Sequence, residues 1–196
     1  RFDRLEEAIN VIKTLWAPGP GSYEGKHYRL ANADCQPKPG TGRPPILIGG
    51  GGEKRTLKLV ARYANEWNGV NLTADTYRQK TAVLERHCEA EGRYPATIRR
   101  SMMAFAIVGP TDADIDHATQ RLMSMWGVPA GTAPADYRAA AKARGIISGR
   151  TDEVVETLGK LAELGLQEVQ FQHFNFDDDS VPEYLAAEIA PRVKGL

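Results

Sequence analysis

The chain has 196 residues, 42% of them hydrophobic and 26% charged, with Lys+Arg and Asp+Glu balanced at 25 each. A neutral balance argues against nucleic-acid and anionic-membrane partners, which a basic stripe would favour, and no apolar run approaches the roughly 20 residues that a bilayer requires. Cys35 and Cys88, the two cysteines, make neither a disulfide framework nor a zinc site, so reduced thiols in a cytoplasm are expected.

The chain opens in helical register: Phe2, Leu5, Ile9, Ile12 and Trp16 form one stripe. A helix without a cap at residue 1 is expected to continue something upstream, as in the C-terminal part of a longer protein. Ala-Pro-Gly-Pro-Gly breaks this helix, and Ser22 to Leu30 predicts a hairpin turning at Glu24-Gly25-Lys26. A Pro/Gly-rich stretch, 31–45, leads to a short strand from Pro45 to Gly49. The spacing then predicts a helix over Glu53 to Asn65 with Leu57, Val60, Ala61 and Ala64 on one face. A strand over Glu66 to Val70 follows, then a helix over Ala74 to Glu91 turning Tyr77, Thr81, Leu84 and Cys88 inward and closed by Gly92.

The run from Ile98 to Val108 is nearly continuous in apolar character, which suits a strand covered on both faces. Thr111 and Asp114 resemble a capping box, with Ile115, Ala118, Leu122 and Met125 as the stripe of the helix they open. Gly127 to Pro134 reads as loop, and Ala135 to Arg144 as a second, more polar helix. Thr151 is expected to cap a helix over Asp152 to Leu164, ended by Gly165. A strand from Leu166 to Phe174 and a last helix opening near Ser180, with Leu185, Ile189 and Val193 inward, complete the chain. Strands alternating with amphipathic helices imply an α/β fold with parallel strands and right-handed crossovers. The chain reads as one domain, 1–196, interrupted by a helical insertion at about 111–150.

The segment Ile-Leu-Ile-Gly-Gly-Gly-Gly-Glu-Lys-Arg-Thr, 46–56, carries the chemistry. Glycines let a ligand approach backbone N–H groups closely, and the next helix offers unpaired donors and a positive dipole end. Strand, glycine loop and helix N-terminus together make an anion site suited to phosphate, to which Arg55 and Thr56 could add a charge and a hydroxyl. The spacing fits neither a P-loop nor the dinucleotide fingerprint. A tight turn with close helix–strand packing is the alternative reading of Gly49, Gly50, Gly51 and Gly52. Other chemistry-bearing residues have bland readings. Trp67 suits packing between helix and sheet, and His173 suits a structural or surface group at a strand end. His27, His87 and His117 show no ligand spacing. Asp177-Asp178-Asp179 lacks the alternation of a calcium loop, and Asp112, Asp114 and Asp116 splay around a helix, so no metal site is expected. Met102-Met103 and Met123-Met125 read as core filler.

Four blocks, RFDRLEEAINVIKTLW, YEGKHYRL, PPILIGGGGEKRTLKLVARYANEWN and GRTDEVVETLGKLAELGLQEVQF, resemble the luciferase-like flavin and deazaflavin oxidoreductases. Within that superfamily they look closest to the coenzyme F420-dependent class. The resemblance spans nearly the whole chain in order. It implies a (β/α)8 TIM barrel with an insertion ahead of the last strand, of which this chain would supply the C-terminal half, strands five to eight. It also implies that the loop after the fifth strand holds the cofactor's phosphate, with backbone N–H groups from Gly50, Gly51, Gly52 and Glu53. Gly49, Arg55 and Thr56 are the flanking candidates. The implied activity is hydride transfer between F420 and a small organic substrate. An FMN-dependent monooxygenase of the same fold is the near alternative. Ring-backing and catalytic groups would come from earlier strands; Trp67, Asn68, His173 and Asn175 are the strand-end residues present. A half-barrel would expose two strand edges, so an inactive fragment, or a homodimer that rebuilds the sheet, is a second expectation. A phosphosugar-binding barrel is a third.

Overall fold

Helical and extended periodicities alternate along the chain, and each becomes the element it implies. The computed structural model describes residues 1–40, 42–174 and 178–196. Helix α1 (Phe2–Trp16) leads into an antiparallel hairpin of β1 (Gly21–Glu24) and β2 (Arg29–Ala33). The Glu7 carboxylate of α1 accepts the backbone N–H groups of Lys26, His27 and Tyr28 at 3.1, 2.8 and 3.1 Å, fastening the turn to the helix. The apolar stripe of α1 is only partly covered: Ile9 is buried, while Leu5 and Ile12 are exposed.

Five parallel strands form the main sheet: β3 (Leu47–Gly49), β4 (Glu66–Val70), β5 (Arg99–Val108), β6 (Ile147–Gly149) and β7 (Glu168–Gln172). Its axis is β5, which pairs with β4 over Arg99–Met103, with β7 over Ser101–Phe105 and with β6 over Ala106–Val108. Among the described residues β3 and β7 each pair on one side only, so the sheet is open. The helices are α2 (Thr56–Tyr63), α3 (Ala74–Ala90), α4 (Asp112–Met125), α5 (Pro134–Ala143), α6 (Thr151–Glu163) and α7 (Ser180–Tyr184). From α7 the chain passes through a π-helical turn, Leu185–Ile189, into α8 (Ala190–Val193). Among the described residues no helix is long and apolar enough to cross a membrane.

Alternation along the strands sorts the two faces of the sheet. Ile48, Trp67, Met102 and Ala104 are buried with Leu57, Val60, Tyr77, Leu84 and Leu161 of the helices in one main core. A smaller cluster, Ile107 of β5 with Ile115, Leu122, Ala141 and Ile146, packs the insertion against the end of that strand. The opposite face is polar. Asn68 Nδ2 donates to Ser101 Oγ at 2.8 Å and to Gln170 Oε1 at 3.2 Å, Ser101 Oγ donates to Glu66 Oε1 at 2.5 Å, and Arg99 bridges to Glu168 at 2.6 Å.

Several expectations need correction. The predicted helix over Glu53 to Asn65 begins three residues later, at Thr56, and ends at Tyr63. Glu53 to Arg55 turn without helical pairing, because Leu57 N–H reaches back five residues to the Gly52 carbonyl at 3.0 Å. The insertion is not purely helical, since β6 lies within it. Three residues are too short for a periodic signal, and β6 exists because the end of β5 offers it a ladder. The Met125 side chain of the predicted α4 stripe is largely exposed. Arg150, not Thr151, holds the N-cap position of α6, and its N–H donates to Glu153 at 3.0 Å, while the Thr151 hydroxyl pairs with Tyr184. The last strand is shorter than Leu166 to Phe174. The Thr111–Asp114 capping box, by contrast, forms as read.

Candidate functional site

The glycine run leaves β3 at its C-terminal end, where ligands bind in sheets with parallel strands. Gly50 takes a φ of +107°, a backbone state that L side chains rarely adopt, and this turns the chain off the sheet. Its N–H is spent on the Asn68 carbonyl at 2.9 Å. The carbonyls that follow are then fastened in succession. Gly50 O accepts from Trp67 Nε1 at 2.7 Å, Gly51 O from Lys80 Nζ at 2.7 Å, and Glu53 O pairs with His87 Nε2 at 2.8 Å. Trp67 comes from β4, and Lys80 and His87 from α3.

This fastening fixes the amides. In a planar trans peptide the C=O and N–H of one unit point in opposite directions. Carbonyls 50, 51 and 53 are drawn toward β4 and α3, so the N–H groups of Gly51, Gly52 and Lys54 point away from them. Among the described residues the amides of Gly51, Gly52, Glu53 and Lys54 donate no hydrogen bond. Gly51 is half-buried, and Gly52 and Lys54 are exposed. The first turn of α2 has no side-chain cap and no acidic residue, so its positive end is also uncompensated.

The predicted site residues therefore separate. Gly51, Gly52 and Glu53 keep available donors, and Lys54 joins them. Gly50 supplies the turn rather than a donor, because its amide is consumed. Gly49 ends β3. Thr56 is buried beneath the loop, and a Cβ added at Gly52 would lie 2.8 Å from its hydroxyl oxygen, so the close approach of Thr56 requires glycine there. Arg55 turns away: its guanidinium pairs with Asp3 and lies 5.1 Å from the centroid of Phe2, both on α1. The hydrogen bond and charge of Arg55 hold the Asp3 carboxyl below its ordinary value. The Glu53 side chain also leaves the amide face, accepting from Gln79 at 2.9 Å and lying 3.5 Å from Lys80 Nζ.

Tyr77, Lys80, Leu84 and His87 recur at helical spacing on α3, so one helix face serves both the core and the loop. Trp67 is fully buried and stacks on Tyr77, with centroids 5.9 Å apart and planes 13° apart. Burial raises the Tyr77 hydroxyl above its ordinary pKa. Trp67 thus packs between helix and sheet as its sequence position suggests, and its indole N–H also holds the loop.

Asn68 is used within the polar face. His173 stands beyond β7, lining an apolar groove of about 570 Å³ between β7, α6 and the C-terminal helices. Asn175 and Asp177 lie outside the described residues. Asp112, Asp114 and Asp116 do splay, engaging Arg150, Thr111 and Arg138 respectively. Sequence reasoning missed Lys80, His87 and Gln79. Nothing in residues 29 and 34 positions downstream marks the carbonyls they will hold; the helical spacing of Lys80 and His87 with Tyr77 and Leu84 was the one available signal.

The family model described as luciferase-like monooxygenase matches residues 1–168. An F420-dependent glucose-6-phosphate dehydrogenase of Nocardia farcinica is 28% identical over all of this chain and 62% of its own length. An F420-dependent hydroxymycolic acid dehydrogenase of Mycobacterium tuberculosis is 29% identical over 91% of this chain and 50% of its own length. Among solved structures, the coenzyme F420-dependent tetrahydromethanopterin reductase of Methanopyrus kandleri superposes with a TM-score of 0.75 at 19% identity, covering 98% of this chain and 63% of that one. A monooxygenase of Streptomyces bottropensis gives 0.74 at 16% identity, covering 96% and 60%. The chain thus spans between half and two thirds of the relatives it matches. The open parallel sheet, the loop after β3 and the match over residues 1–168 agree: the chain belongs to the luciferase-like monooxygenase family.

Proposed function

We propose that this chain is the cofactor-anchoring part of an F420-dependent oxidoreductase of the luciferase-like class, acting on a small organic substrate. The observation that carries the reading is the set of unspent amides at Gly51, Gly52 and Lys54, turned outward beside the uncapped start of α2. Donors of this kind match a phosphate group, which accepts several hydrogen bonds and carries the charge that a helix N-terminus favours. The donor set fits F420 and FMN alike, since both carry phosphate.

When bound, the deazaflavin would supply the hydride chemistry. This chain's part is to hold and orient. Gly51, Gly52, Glu53 and Lys54 would grip the phosphate through N–H groups. Gly50 gives the loop its turn, and Trp67 keeps that turn rigid. Asn68, Ser101 and Gln170 form a hydrogen-bonded layer on the face of the sheet that a barrel would enclose, in keeping with strands five to eight of a TIM barrel. F420 is preferred because the curated relatives named above are F420-dependent by description. The FMN monooxygenase remains as the second reading because a structural neighbour is a monooxygenase. Fluorescence titration of the protein with F420 and with FMN separates them. Saturable F420 binding without FMN binding supports the proposal, whereas FMN binding alone replaces it with the second reading.

A further inference from the structure

The side of the loop away from the amides is as organised as the amides themselves. Lys80 Nζ donates to Gly51 O at 2.7 Å and lies 3.5 Å from Glu53 Oε1. Its stem runs flat under the loop, so a Cβ on Gly51 would meet Lys80 Cε at 3.0 Å and Cδ at 3.1 Å. The lysine side chain is mostly buried, with 22% exposed.

We propose that Lys80 is a positioning residue that sets the anion affinity of the loop from behind. This rests on reading the loop as a phosphate site. Three effects act together. An ammonium on the Gly51 carbonyl fixes the plane of the peptide unit joining Gly51 to Gly52, which turns the Gly52 N–H outward. Charge on a carbonyl polarises its own peptide, and hydrogen bonds in a chain strengthen one another, so the Gly52 N–H becomes a stronger donor. Lys80, with Gln79, also draws the Glu53 carboxylate toward α3. A carboxylate released to the amide side would repel a phosphate. The loop's negative side chain is thereby kept behind the peptide plane while its donors stay in front.

Lys80→Met keeps the aliphatic stem against Gly51 and removes both the donor and the charge. Lys80→Arg restores both. Arg78→Met, two residues away on another side of the helix, removes an α3 cation that pairs with the exposed Asp75. Each protein is titrated with inorganic phosphate and with F420 while the glycine amide signals are followed in a ¹⁵N–¹H correlation spectrum. Lys80→Met is expected to weaken phosphate binding about tenfold or more, as loss of a charge-assisted hydrogen bond does. It should also move the free-state Gly52 proton signal upfield. Lys80→Arg should recover most of both effects, and Arg78→Met should change neither. Equal phosphate affinity in Lys80→Met and the unaltered protein overturns the role of Lys80 and leaves the phosphate loop standing. So does an unmoved Gly52 signal. An unaltered protein whose loop amides respond to neither phosphate nor F420 overturns the phosphate loop and, with it, this inference. A global spectral change in Lys80→Met is resolved by Lys80→Arg: a normally folded Lys80→Arg with undiminished affinity supports the proposal, and a normally folded Lys80→Arg that has lost phosphate affinity overturns it.

Discussion

Replacing Gly50 with alanine tests whether the loop's shape is imposed by backbone conformation or by space. Space is not limiting: the new Cβ would sit 3.6 Å from Thr56 Cγ2, an ordinary contact. The cost therefore comes from φ at +107°, for which a residue with a Cβ loses about 1–3 kcal/mol. In a domain of this size each kcal/mol moves Tm by roughly 2–4 °C, so Gly50→Ala is expected to melt about 2–12 °C lower. Relaxing φ instead would break the Gly50 N–H bond to Asn68 O and the Trp67 bond to Gly50 O. Either outcome should weaken phosphate binding. Gly51→Ala is the internal comparison. Its φ is unstrained, and its near neighbours are the Lys80 Cε and Cδ, atoms of a flexible stem that can give way. It should lose well under half as much Tm while still disturbing the loop. Thermal unfolding followed by far-UV circular dichroism, with phosphate titration of the loop amides, measures both. Equal melting temperatures for the two variants would refute the reasoning.

Gly145→Ala should be more damaging, since its φ is +82° and its Cβ would fall 2.2 Å from the Asn71 carbonyl oxygen; backbone clash plus strain predicts loss of a cooperative thermal transition or a fall of several kcal/mol. Gly159→Ala should stabilise: the site is helical with nothing within 4 Å of the new Cβ, so about 0.5–1 kcal/mol is gained, read as a higher Tm. The Glu7 carboxyl has its pKa lowered: burial pushes it up, but the three amides it accepts from outweigh that. A lowered folded-state value means its stabilisation is present above the unfolded value near 4.5 and is lost as pH falls through the folded one. Corrected for intrinsic exchange, the protection of the amides of Lys26, His27 and Tyr28 should therefore fall as pH drops below about 4.5, and Glu7→Gln should abolish that loss. Light scattering tests association through the open edges: a dimer supports the pairing of two sheets, and a monodisperse monomer contradicts it.

What the sequence makes legible is what depends on near neighbours. The α3 stripe of Tyr77, Thr81, Leu84 and Cys88 buries as its spacing implies, and the glycines after Ile48 mark a loop built for close approach. What it hides depends on partners far along the chain. Arg55 reads as an anion ligand until Asp3, 52 residues earlier, claims it. Gly50 reads as a donor until Asn68 takes its N–H. Helical spacing alone marks Lys80 and His87 until the fold brings them against carbonyls 51 and 53. The three-residue strand β6 exists only because β5 runs past its other neighbours. Local periodicity carries no information about any of these, since each is settled by tertiary packing that overrides propensity.

The ladder of β5 has a mechanical consequence. Its lower portion is flanked by β4 and β7 over five residue pairs each, whereas β6 pairs with its tip over three. A load that lifts α4 and α5 therefore works against this three-pair ladder and against the apolar cluster of Ile107, Ile115, Leu122, Ala141 and Ile146 together, while the five-pair ladders lie outside its path. The insertion is thus fastened to the sheet at two ends of one line, the ladder at the tip of β5 and the close approach of Gly145 to the Asn71 carbonyl.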